Sequence, residues 1–281
     1  MKTLNLTSGF TPFQNIYEEI EGQSFLFSGG EVHIKLKDNA SEVLITSRLN
    51  NSDDIMKLLL AVDALRRSGT KNISAFIPYL PYARQDRVMV GGEPLSIKVM
   101  CNILNTCNFD KVYIFDVHSE VSLALLNNVE LITNDSLVKQ VVANHTDYLL
   151  ISPDAGALKK IYKVAQAVGY TDDIVLCNKV RDVSNGKIKQ ITVDQDDLGG
   201  KHCFIIDDIC DGGATFIGVA KELKQRNAGK VSLIVSHGIF SHGETGLAEC
   251  LDHIYTTDSI KDSSSDLITC LPLGELVTLS K

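Results

Sequence analysis

Seven short apolar runs rich in Val, Ile and Phe punctuate the chain, at residues 42–46, 73–77, 111–115, 148–151, 174–177, 202–206 and 231–235. Amphipathic segments separate them. Strands buried on both faces read as continuous apolar runs, and their alternation with segments of helical period is the pattern of a parallel sheet wound with helices. Within residues 53–67, Ile55, Leu58, Leu59, Val62 and Leu65 share one helical face, and Gly69 follows as a C-terminal cap. Residues 214–225 repeat the scheme with Ile217, Ala220 and Leu223, and Gly229 leads into the next run. Seven runs in 281 residues suit two α/β units.

The polar stretch 133–136 marks the expected join, giving an N-terminal domain over 1–133 and a C-terminal domain over 134–281. The acidic, serine-rich stretch 262–266 reads as a surface loop.

The charge balance of 27 Lys+Arg against 35 Asp+Glu, a net −8, removes the electrostatic basis for sequence-independent nucleic-acid binding. No apolar run approaches the roughly 20 residues of a membrane span, and the first residues lack the basic and apolar regions of a signal peptide. A cytoplasmic protein is expected. The seven cysteines are spread out with no Cys-x-x-Cys pair, so reduced, mostly buried thiols are expected rather than disulfides or a zinc site.

In open α/β sheets ligands bind beyond the carboxyl ends of the strands, so the polar residues after each run are the informative ones. The sharpest cluster is 204–215. There an apolar strand ends in Asp207 and Asp208, and a small-residue loop with Asp211, Gly212, Gly213, Ala214 and Thr215 opens a helix. Backbone N–H groups at such a loop, aided by the helix N-terminus, make a phosphate cradle. The paired acids would face sugar hydroxyls. A tight turn capped by Asp would look similar in isolation.

Three more strand ends carry candidates. His118 follows the run at 111–115, and Asp154 follows the run at 148–151. A lone His and a cap Asp are usually structural, yet one imidazole and one carboxylate at two strand ends could hold a divalent ion carrying a nucleotide's phosphates. Lys179 and Arg181, two apart on an extended segment, would project to one side and could neutralise a transferring phosphoryl group. Solvated surface charge is the plain alternative.

Taken in order, these clusters resemble the ribose-phosphate pyrophosphokinases, a family of the type I phosphoribosyltransferase fold. The resemblance runs from about Phe27 to about Ile260. It is carried by Phe27-Ser-Gly-Gly-Glu31, by Ala61-Val-Asp-Ala-Leu-Arg-Arg67, by Ile77-Pro-Tyr-Leu-Pro-Tyr-Ala-Arg-Gln-Asp-Arg87, by Asp116-Val-His118, by Ser152-Pro-Asp154 and by the 207–215 loop. It implies two similar α/β domains, each a mainly parallel sheet flanked by helices. It also implies transfer of the β,γ-diphosphate of Mg-ATP to the C1 hydroxyl of ribose 5-phosphate.

By matched position, Arg84, Gln85, Asp86 and Arg87 would bind ATP, and Phe27 and Glu31 would reach the adenine from a neighbouring subunit. His118 and Asp154 would hold Mg²⁺, Lys179 and Arg181 would be the catalytic cations, and 207–215 would bind the sugar phosphate. Arg181 to Lys189 would be a loop that closes over the substrates. A homo-oligomer built from dimers is implied as well.

The chain also departs from the family. Gly29 stands where an Asp is usual, Gly212 replaces a Thr, and Ala214 replaces a Gly. The stretch 88–93 is apolar and acidic where the family is more basic, and the C-terminal region is short, so weak allosteric control is expected. The altered cradle admits a variant in which the acceptor is a larger 5-substituted ribose such as ADP-ribose. A catalytically silent assembly partner is the reading from another class, opposed by the retained His118, Asp154, Lys179 and Arg181.

Overall fold

In the computed structural model, which describes residues 1–181 and 188–280, each of the seven apolar runs forms a strand. They are the centre of a larger set, fifteen strands and eight helices among the described residues. The chain divides into two units, Met1–Thr133 with the segment that starts at Leu273, and Asn134–Pro272.

The N-terminal unit runs β1 (Lys2–Asn5), β2 (Glu18–Glu19), β3 (Gly22–Leu26), β4 (Val32–Leu36), β5 (Glu42–Thr46), α1 (Ser52–Arg67), β6 (Asn72–Phe76), α2 (Ser96–Thr106), β7 (Val112–Phe115), α3 (Val121–Leu125) and β8 (Val129–Ile132). Its main sheet has the order β2-β1-β5-β6-β7-β8, with every pairing parallel. Antiparallel β3 and β4 form a separate hairpin. Helix α1 begins where Asn51 accepts a hydrogen bond from the Asp54 N–H at 3.0 Å, and Gly69 at φ +93° turns the chain out of it. The face that this helix buries holds Leu58, Ala61, Val62 and Leu65, against the sheet core of Val43, Ile45, Ile73 and Ala75.

The C-terminal unit runs α4 (Asp135–Val142), β9 (Tyr148–Ser152), α5 (Ala155–Val168), β10 (Val175–Arg181), β11 (Ile188–Val193), β12 (His202–Cys210), α6 (Ala214–Gln225), β13 (Val231–Gly238), α7 (Thr245–Ala248), β14 (His253–Thr257) and β15 (Ile268–Leu271). Its sheet order is β11-β10-β9-β12-β13-β14-β15, parallel except for the β10–β11 pair. Strand β13 is buried along its whole length, in keeping with its largely apolar start.

One domain boundary needs correction. The expected C-terminal domain runs to 281, but the segment from Leu273, which includes α8 (Leu273–Leu276), belongs to the N-terminal unit. Leu273, Leu276 and Val277 are buried there. Gly274 lies so close to the Pro12 backbone that a β-carbon has no room, and Ser280 receives hydrogen bonds from Lys111 at 2.9 Å and Tyr113 at 3.0 Å. Three apolar side chains with no cover of their own are enough to draw the segment back.

None of the seven cysteines forms a disulfide, and five are buried. Burial pushes the Cys203 thiol up to about 11 and those of Cys177 and Cys210 up to about 12, as expected of inert core thiols. Among the described residues no helix is long and apolar enough to cross a membrane.

Candidate active site

In the N-terminal unit the polar residues gather on two loops and the hairpin. Leu80 and Ala83 are buried and pin the loop after β6, while Arg84, Gln85 and Arg87 just beyond them are exposed. Tyr82 takes φ +65°, and its carbonyl accepts the Gln85 N–H at 3.0 Å, which closes the turn. Asp86 is bracketed by Arg87, whose Nε and terminal nitrogen lie 2.9 and 3.3 Å from the two carboxylate oxygens. The Arg87 guanidinium, a Ser119 hydroxyl bond and the nearby His118 charge hold the Asp86 carboxyl below its usual range. The 84–87 block therefore lies beside the loop that follows β7, where His118 is exposed and Asp116 is buried at φ +48°.

The hairpin tip carries Phe27 and Glu31. The Phe27 N–H donates to the Glu31 carbonyl at 2.9 Å, and Gly30 supplies the left-handed turn. Phe25, Phe27 and His33 meet with ring centroids 5.0 to 5.5 Å apart, and both phenylalanines are about half exposed. His33 is a member that the sequence reading does not name.

In the C-terminal unit the candidates sit at the carboxyl ends of neighbouring strands β10, β9 and β12. Asp154 ends the β9 turn as the N-cap of α5, its Oδ1 accepting the Ala157 N–H at 3.0 Å. The cap role weighed from sequence is thus real, and it does not exhaust the carboxylate. Pairing of β10 with β9 stops at Leu176↔Ser152, while the antiparallel partner β11 carries β10 onward to Arg181. That overhang delivers Lys179 to Asp154, and the two form an ion pair. Burial raises the Asp154 carboxyl, but Lys179 and the N–H groups of Ala157 and Gly156 more than offset it and hold the group below its usual range. The backbone of Arg181 closes β10, while its side chain and residues 182–187 lie outside the described residues.

On β12, Asp208 is buried and Asp207 partly so, and the Asp208 N–H donates to Asp207 Oδ1 at 2.9 Å. Burial and the adjacent Asp208 charge push the Asp207 carboxyl well above its ordinary value, against the opposing charge of Lys160 on α5. Lys160 is a second residue missed from sequence; its helical position among ordinary surface lysines gives no signal. After Asp211 and Gly212, Gly213 stands at the N-cap of α6 with φ +80° and no side-chain cap. A β-carbon on Gly213 would lie 2.7 Å from Leu247, so conformation and space both demand glycine. Ala214 is exposed and Thr215 partly exposed at the open end of the helix.

The structure therefore brings Asp154 together with Lys179, and sets Asp207 and Asp208 beside the 211–215 loop on the next strand. Among the described residues no group of three His, Cys, Asp or Glu side chains could by itself hold a metal. The oxygen donors of Asp154 suit a hard divalent cation accompanied by substrate phosphates.

Residues 19–107 match the family model for the N-terminal domain of ribose phosphate pyrophosphokinase, and residues 125–267 match that for the phosphoribosyl transferase domain. The ribose-phosphate pyrophosphokinase of Haemophilus ducreyi is 32% identical, and that of Mycoplasma pneumoniae 31%; each alignment covers 90% of this chain and 82% of the relative. A crystal structure of phosphoribosylpyrophosphate synthetase from Mycobacterium smegmatis has the same fold. It superposes with a TM-score of 0.83 at 24% identity, over 98% of this chain and 95% of that one.

Proposed function

Because this chain belongs to the ribose-phosphate pyrophosphokinase family, we propose that it transfers the β,γ-diphosphate of ATP to the C1 hydroxyl of ribose 5-phosphate. The products are phosphoribosyl diphosphate and AMP. The observation that carries this reading is the constellation at the carboxyl ends of β10, β9 and β12, where a lysine, a carboxylate, an acid pair and an uncapped helix start occupy three adjacent strands.

In this reading the 211–215 loop and the α6 N-terminus receive the 5-phosphate, and Asp207 and Asp208 accept hydrogen bonds from the sugar hydroxyls. Burial and mutual repulsion make a second charge on that acid pair costly, so a neutral, hydroxyl-rich ligand suits it. The anomeric hydroxyl oxygen attacks the β-phosphorus and gives up its proton to solvent, the bond to the α-phosphate oxygen breaks, and AMP departs. Such a transfer needs alignment and charge neutralisation rather than a covalent protein intermediate. Lys179 supplies positive charge for the transferring group and exchanges Asp154 for it, and Arg181 is the second cation. Arg84, Gln85, Asp86 and Arg87 bind ATP, and Phe27 and Glu31 meet the adenine from a neighbouring copy in a homo-oligomer built from dimers.

The half-exposed Phe25, Leu26 and Phe27 on the hairpin support that assembly, since a second copy would remove them from water. His118 and Asp154 would hold Mg²⁺, which when bound would neutralise the phosphates of ATP. Cysteines that form no disulfide fit a reducing, cytoplasmic setting.

The test is mass spectrometry of the products formed from ATP, Mg²⁺ and ribose 5-phosphate. Phosphoribosyl diphosphate and AMP in equal amounts are expected; AMP release independent of the sugar phosphate would reject the reading.

A further inference from the structure

The sugar-phosphate loop has a second wall that the sequence reading leaves unmentioned. After β13 the chain turns back over the end of β12 at residues 239–243. The N–H groups of Ile239 and Phe240 both donate to the Cys210 carbonyl, at 2.9 and 3.1 Å, and the Ser241 N–H donates to the Asp211 carbonyl at 3.2 Å. Phe240 is buried, although its backbone takes φ +49°, and Gly243 follows at φ +71°. Two left-handed residues and three hydrogen bonds thus hold this turn against the loop.

What the turn presents there is His242. Its imidazole occupies the space beside Gly212, so a β-carbon at 212 would stand 2.9 Å from Nδ1 and 3.0 Å from Cε1. The side chain is exposed, and core packing does not account for its position. Leu247 fills the corresponding space behind Gly213 and closes the back of the loop. A side chain at 212 would have to displace this exposed imidazole; with glycine there, the loop has no side-chain donor of its own at 212, and the neighbouring turn places an imidazole in that space instead.

We propose that His242 is a specificity-determining residue of the sugar-phosphate loop, its imidazole N–H donating to the 5-phosphate of the acceptor. This rests on reading 211–215 as the phosphate cradle. The helix start and glycine turn supply backbone donors without a charged side chain. An imidazole at the mouth adds the group that separates a phosphorylated ribose from free ribose. Hydrogen bonds to charged groups are the strong ones, and loss of one corresponds to about a tenfold weaker ligand or more.

The test is steady-state kinetics with ATP and either ribose 5-phosphate or ribose, on the wild type, His242→Ala, His242→Asn, Gly212→Ser and the Gly212→Ser/His242→Gly double variant, each checked for folding by thermal melting. In His242→Ala, KM for ribose 5-phosphate should rise about tenfold, with much smaller changes in kcat and in KM for ATP. The preference for ribose 5-phosphate over ribose should fall by the same factor. Asn retains an N–H donor and should recover part of the loss. Gly212→Ser alone should weaken the sugar phosphate by displacing the imidazole, and the double variant should bind better than the sum of the two single changes. A folded His242→Ala enzyme with wild-type KM and wild-type preference overturns the proposal while leaving the activity intact. A wild type without sugar-dependent AMP release overturns the underlying reading, and the proposal with it.

Discussion

The two ends of the seven-stranded sheet in the C-terminal unit are built from different materials. At the amino end, His145, Tyr148, His202 and Phe204 form an aromatic cluster, with ring centroids 4.1 Å apart for His202 and Phe204, 5.0 Å for His145 and Phe204, and 5.7 Å for Tyr148 and Phe204. Phe204 has no exposed surface, His202 shares a hydrogen bond with Ser232 at 2.9 Å, and Lys201 pairs with Asp147 at 2.8 Å. At the carboxyl end two aspartates lie side by side, a helix starts without a side-chain cap, and Gly213 and Phe240 hold positive φ. One end satisfies itself, whereas the other keeps repulsion and conformational strain that folding alone does not reward. Such costs persist where a ligand offsets them. The same sheet therefore divides into an end for stability and an end for chemistry, and substitutions should separate the two.

The largest effect is expected from Lys179→Ala. Removing a cation that acts on the transferring group should lower kcat by about 10³-fold or more, with ATP still bound. The ion pair with Asp154 is partly exposed, so the melting temperature should move by only a few degrees. A normal kcat would remove Lys179 from the mechanism, and a collapse of the fold would erase the contrast between the ends. Phe204→Ala probes the opposite end. Deleting a fully buried ring should cost about 3–5 kcal/mol in chemical denaturation, with kcat per folded molecule unchanged. A folded Phe204→Ala protein with impaired turnover would show that the amino end also serves the chemistry.

Smaller, and sharper, is Asp208→Ala. KM for ribose 5-phosphate should rise about tenfold or more as a sugar contact is lost. Stability should hold or improve slightly, because the like charge beside Asp207 is gone and its carboxyl returns toward the ordinary range. A clear loss of stability with unaltered KM would place Asp208 on the structural side of the comparison.

How far this division could be read in advance follows from its physics. The central strands β5, β6, β7, β9, β12 and β13 are apolar runs because both faces are covered, and they are plain in the sequence. Strands β2, β8, β11 and β15, on the sheet edges, are short or mixed in character, so periodicity does not separate them from loops. Asp207, Asp208 and the 211–215 loop are legible as one local motif. The Asp154–Lys179 pair spans 25 residues and exists only because β10 overshoots β9, which depends on strand pairing. His242 is invisible for a related reason: its meaning lies in the empty space at Gly212. The return of the chain at Leu273 likewise depends on a surface in the other unit that composition does not reveal.

The smallest effect concerns pH and belongs to the amino end. Burial, with His145 and the Lys230 ammonium nearby, pulls the His202 imidazole down to about 4, against an ordinary value of about 6.5. The unfolded chain therefore takes up a proton as pH falls through 6.5, and the folded chain resists doing so until about 4. Stability from this neutral, stacked ring is fully present above 6.5 and is lost progressively between 6.5 and about 4. In urea denaturation followed across that window, His202→Gln should flatten the acid side of the profile while lowering stability at pH 7.5 through the lost stacking on Phe204. Turnover at pH 7.5 should be unaffected in the folded variant. An unchanged slope would mean that His202 is protonated in the folded protein and that the cluster tolerates the charge.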